Sequence, residues 1–80
     1  MDWDAEIDAL GLLCPLPVLR ARKRLATLAP GATLRLLADD PAALVDVPHF
    51  CREQGHALLA TSDLPEGGRA YLVRKGGLRE

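Results

Sequence analysis

The chain is poor in what small proteins often use to hold themselves together. It has two cysteines, Cys14 and Cys51, which permit at most one disulfide. Small secreted domains lean on several, so the expected setting is a reducing one, the cytoplasm. Aromatics make up only 4% of the residues. Charge of one sign is lacking too, with a formal net charge of -1. A nucleic-acid binder working through bulk electrostatics usually has a domain pI above about 9, so direct nucleic-acid binding is not expected. Apolar runs are short; none approaches the roughly 18 residues that span a bilayer, so no membrane contact is expected. The first residues, Met1-Asp2-Trp3-Asp4-Ala5-Glu6, are acidic, the reverse of a secretory leader.

What is present describes a globular domain. Hydrophobic residues make up 49% of the 80 and charged residues 26%. That is too apolar for disorder and too charged for a membrane protein. No linker or repeat divides residues 1–80, so they read as a single domain. A chain this size buries only about 60% of its unfolded surface, so the core must be thin. Charge is unevenly spread. Asp2, Asp4, Glu6 and Asp8 crowd the start, and Arg20, Arg22, Lys23 and Arg24 fall within five residues. The basic cluster reads either as a solvated helix face or as a docking face for an acidic protein partner.

Periodicity gives six elements. Residues 5–10 alternate apolar and acidic, as a short strand does, until Gly11 breaks the pattern. A helix is predicted from Cys14 to about Ala29, stopped by Pro30-Gly31, with Val18, Ala21, Leu25 and Leu28 as its core stripe. Residues 33–38 are apolar enough for an interior strand. Asp39-Asp40-Pro41 starts a second helix over 41–54, with Asp40 as cap. Pro48 should kink or split it, and Leu44, Val47 and Cys51 should face the core. Residues 57–62 and 69–75 read as strands joined by a turn-rich segment, and the tail from Gly76 as frayed. The order β-α-β-α-β-β implies an α+β fold: a two-layer α/β sandwich, with a four-stranded mixed sheet and both helices on one face. Arg35 and Arg74 could cover the other face with their aliphatic stems.

Chemistry concentrates at Cys14-Pro15-Leu16-Pro17. Prolines are tolerated in the first helical turn because its N–H groups lack intrahelical partners. A helix N-terminus favours an anion, so the Cys14 thiol is expected to be moderately activated, its pKa drawn down. Leu16 points away from the core, on a face shared with Arg20, Lys23 and Thr27. Leu12 and Leu13 precede the sulfur, and at least one should anchor the loop to the core. The exposed set Leu13, Leu16, Arg20 and Lys23 is the candidate partner-docking surface. Cys51 reads as core filler. His49 and His56 match no metal-ligand spacing with either cysteine, so no metal site is expected. No phosphate loop, catalytic triad or carboxylate pair emerges.

These residues resemble the TusA (SirA-like) sulfur-carrier family. Asp8-Ala9-Leu10-Gly11-Leu12-Leu13-Cys14-Pro15-Leu16-Pro17 is similar to its D-x-x-G-x-x-C-P-x-P signature. Arg22-Lys23, Pro30-Gly31, Ala38-Asp39-Asp40-Pro41, Asp46-Val47-Pro48 and Tyr71-Leu72-Val73-Arg74-Lys75 also fall where that family has such residues. The resemblance implies a persulfide carrier of the sulfurtransferase type rather than a stand-alone turnover enzyme. It places the cargo on Cys14, with Gly11, Pro15 and Pro17 supporting the motif. It implies a donor, commonly a cysteine desulfurase that holds PLP while the carrier itself holds no cofactor, and a DsrE-like acceptor. Destinations in the family include tRNA 2-thiouridylation, molybdenum-cofactor assembly and sulfur oxidation. Its sheet order is 1-2-4-3, with the fourth strand antiparallel to the rest. Leu16 stands where many carriers have an acidic residue, and Leu13 where several have a basic one, which bears on partner choice. Two other readings stay open: a thiol-redox protein using Cys14 and Cys51, and a non-catalytic regulatory or interaction module.

Overall fold

The computed structural model describes residues 3–77. Its elements are β1 (Ala5–Asp8), α1 (Leu16–Leu25), β2 (Thr33–Ala38), α2 (Ala43–Gln54), β3 (Ala57–Asp63) and β4 (Arg69–Arg74). They form one mixed sheet in the order β1-β2-β4-β3. β1 runs parallel to β2, and β4 runs antiparallel to both β2 and β3. The α+β sandwich and the strand order both agree with expectation. The expected fraying of the tail falls partly on residues 78–80, outside the described residues; Gly76 itself is tied in, donating its N–H to His56 Nδ1 at 3.0 Å.

β2 is the central strand and shows why the sheet has one helical face. Leu34, Leu36 and Ala38 are buried while Thr33, Arg35 and Leu37 alternate with them. Leu34 and Leu36 join a single apolar cluster with Ala21 and Leu25 of α1, Val47, Phe50 and Cys51 of α2, and Tyr71 and Val73 of β4. Both helices therefore bury their stripes on the same face. Arg35 lies on the other, where its guanidinium sits 4.6 Å from the Trp3 ring and pairs with Glu6. Arg74 is exposed.

Four local expectations need correction. α1 ends at Leu25 rather than near Ala29, because the chain tightens: Thr27 and Leu28 donate their N–H groups to the carbonyls three residues back, Arg24 and Leu25. α2 is not split at Pro48. Proline removes the N–H that would bond to the Leu44 carbonyl, and the helix continues past it on a turn whose Leu44 is 52% exposed. The same exposure removes Leu44 from the core stripe, which instead runs through Ala43, Val47, Phe50 and Cys51. Asp40 is not the residue adjoining α2. Pro41 and Ala42 form a turn first, and Asp40 Oδ1 accepts the Ala42 N–H at 3.1 Å.

A candidate carrier thiol at the end of two parallel strands

Because β1 and β2 are parallel, their C-terminal ends lie side by side, with Asp8 opposite Leu37. The loops that follow them therefore leave the same sheet edge and touch. Asp39 Oδ1 accepts the Gly11 N–H at 3.0 Å, and Asp40 Oδ2 accepts the Cys14 N–H at 2.6 Å. Gly11 turns there with φ +82, a conformation that L side chains rarely adopt. Leu12 packs on the core and anchors the loop, while Leu13 is 71% exposed. The Cys14–Pro15 peptide bond is cis. Pro17 is buried, so the motif is pinned from below while its cysteine is exposed.

Cys14 Sγ donates to Asp46 Oδ2 at 2.8 Å. Asp46 comes from the first turn of α2, and Cys14, Asp40 and Asp46 line one shallow cavity with Pro15, Pro17 and Val18. The thiol is therefore not activated in the free protein. The hydrogen bond to Asp46, reinforced by partial desolvation and the charges of Asp46 and Asp40, raises the Cys14 pKa above the ordinary thiol value. The dipole expectation fails because α1 begins two residues beyond the sulfur, while the Asp46 carboxylate lies 2.8 Å from it and the charge of Asp40 adds to the same effect. Asp40 is held below the usual carboxylate range by the Cys14 and Ala42 N–H groups.

The other expected site residues divide cleanly. Leu16 and Leu19, 45% and 47% exposed, share a groove on α1 with Arg20, Lys23, Arg24 and Thr27. Of the four residues expected to form a docking face, Leu16, Arg20 and Lys23 thus share one groove, joined by Leu19, while exposed Leu13 does not line it. Cys51 is 3% exposed, and burial pushes its thiol up to about 11. Both cysteines are free, one at the surface and one in the core. Among the described residues no group of His, Cys, Asp and Glu could hold a metal ion, and no helix is long and apolar enough to cross a membrane. Asp46 and Asp40 as neighbours of the sulfur were missed by spacing arguments. The available signal was topological: consecutive parallel strands put both strand–helix junctions at one edge.

Fold and site together define a small two-layer α+β sandwich that exposes one thiol at its first strand–helix junction. Comparison with known proteins agrees. The Sulfurtransferase TusA family profile matches residues 5–75, and the chain belongs to that family. It is also similar to the crystal structure of a SirA-like protein from Desulfitobacterium hafniense. The two are 28% identical, with a TM-score of 0.81 over 91% of this chain and 99% of that one. Membership implies a sulfur-carrier role in relay with other proteins.

Proposed function

We propose that this protein accepts sulfane sulfur as a persulfide on Cys14 and passes it to an acceptor protein. The observation that carries the reading is the exposure of Cys14 at the tip of the C-P-x-P junction while Cys51 is buried. A carrier needs an isolated thiol, since a resolving thiol nearby would discharge the persulfide as sulfide.

The chemistry balances without an added oxidant or reductant. The Cys14 sulfur attacks the outer sulfur of a donor persulfide. The bond between that sulfur and the donor cysteine breaks, and the donor leaves as a thiolate that takes up the proton lost from Cys14. Cys14 is then Cys14–S–SH, and an acceptor thiolate later removes the outer sulfur in the same way. The donor class that fits is a PLP-dependent cysteine desulfurase, and the acceptor class a DsrE-like protein. The relay could feed tRNA thiolation, molybdenum-cofactor assembly or sulfur oxidation. The carrier supplies a sulfur and a docking surface, with no cofactor of its own in the step. The docking surface in this reading is Leu13 and Leu16 beside the sulfur and Arg20 and Lys23 further along α1. Mass spectrometry after incubation with a cysteine desulfurase and cysteine tests the reading. A gain of one sulfur on Cys14, absent in Cys14→Ala, is expected; no gain with any donor would overturn it.

A further inference from the structure

Asp46 stands beside the sulfur in the first turn of α2. Its hydrogen-bond partner is the Cys14 thiol, at 2.8 Å, and it enters no ion pair among the described residues. The carboxylate beside it, Asp40, already accepts two backbone N–H groups. The other ionisable groups around the sulfur are also on α2. His49 and Glu53 line the adjoining groove and stand 3.8 Å apart, with side chains about as exposed as each other. Arg20, Lys23 and Arg24 of α1 line a different groove, with Leu16 and Leu19, and do not line this cavity. The sulfur therefore sits at a boundary, with carboxylates on the α2 side and guanidinium and ammonium groups on the α1 side.

The geometry points to Asp46 as a latch on the carrier sulfur: its carboxylate keeps Cys14 protonated in the free protein, and a partner that lays a cationic side chain against Asp46 releases the thiol for attack. The inference rests on the carrier reading. A thiol is a far weaker nucleophile than its thiolate, so a latched carrier is quiet toward stray disulfides, small persulfides and oxidants. A cation against Asp46 removes the proton acceptor and the repelling charge together, and the thiolate fraction rises. The partner class is thus a protein carrying Arg or Lys beside its own reactive sulfur. Once Cys14 is loaded its inner sulfur has no proton, and the bond to Asp46 is gone.

The size of the effect follows from thiol chemistry. A tenfold fall in thiolate fraction is offset by only about a threefold gain in intrinsic nucleophilicity, so each such step slows attack by about threefold. Two rates on the same variants test the latch. The first is alkylation of Cys14 by iodoacetamide across pH, in the wild type, Asp46→Asn and Asp46→Ala. Both variants are expected to form thiolate at lower pH and to react about threefold or more faster near neutrality. Unchanged profiles overturn the latch. The second is sulfur loading from glutathione persulfide and, separately, from a cysteine desulfurase with cysteine. Asp46→Asn should load faster from the small donor and no faster, or more slowly, from the protein donor. Equal acceleration with both overturns the claim that a partner cation does the releasing. A wild type that loads from neither donor overturns the carrier reading, while the alkylation profiles still decide whether Asp46 holds the thiol.

Discussion

Burial holds the Cys51 thiol at about 11, so near neutral pH it is a small hydrophobe packed with Val47 and Phe50. Labelling of the native protein should therefore reach Cys14 alone, with Cys51 reacting only after unfolding. Replacing Cys51 by Ala removes one buried sulfur and should cost about 1–2 kcal/mol of stability while leaving sulfur loading intact. Urea melts and intact-mass measurements check both halves, and loss of loading would make Cys51 a participant. At this scale the sequence was informative about one residue and silent about its neighbours. Cys14 could be located because two prolines and a glycine turn mark a strand–helix junction. Asp46 could not, because it lies 32 residues further on and meets the sulfur only once α2 has packed. The direction of the thiol's shift is hidden from the sequence for the same reason. A dipole can be read from a helix start, whereas a carboxylate supplied by another helix cannot.

Elements were easier to read, and the errors have local causes. β2 was found to the residue because its apolar run is unbroken except at polar Thr33 and Arg35. The limits of α1 and the continuity of α2 depended on satisfying single carbonyls, which periodicity does not see. Pro48 tests that account. If α2 tolerates it only because the Leu44 carbonyl is open to solvent, Pro48→Ala should stabilise the protein by about 1–3 kcal/mol, read from thermal or urea unfolding. A loss of stability would show that Pro48 is fixed by packing instead. The junction of α2 and β3 offers a pH test. His56 lies between the Gly55 turn and β3, its ring tilted against Phe50 at 5.4 Å between centroids, and accepts the Gly76 N–H at Nδ1. Desolvation, then the charge of Lys75, lowers its pKa below the ordinary histidine value. The unfolded chain thus binds the proton more readily than the folded one. The stabilisation is whole above about pH 6.5, the unfolded value, and is lost as pH falls through the lower folded value. Unfolding midpoints measured from about pH 7.5 to 5 should fall, and His56→Gln should flatten that slope.

On the whole molecule, near-zero net charge conceals a division of sign around the sulfur. Asp39, Asp40 and Asp46 gather where the two parallel junctions meet, while Arg20, Lys23 and Arg24 line the exposed groove of α1 with Leu16 and Leu19. In the proposed relay, a partner that approaches Cys14 would meet apolar contacts and positive charge on one side of it and negative charge on the other. Exposed charges act mainly on encounter, where complementary fields raise association rates and fade beyond a Debye length of about 8 Å at physiological salt. The basic side should matter to a protein donor with an acidic docking face and not to a small one. Arg20→Glu combined with Lys23→Glu should slow loading from a desulfurase by about tenfold or more at low salt, with the gap to wild type closing as salt rises. Loading from glutathione persulfide should change little, since the two substitutions lie outside the cavity that holds the sulfur. Single-turnover loading at several ionic strengths separates the cases. An equal loss with both donors would mean that the substitutions disturb Cys14 itself, and no loss with either would reduce the basic helix to a solvated face.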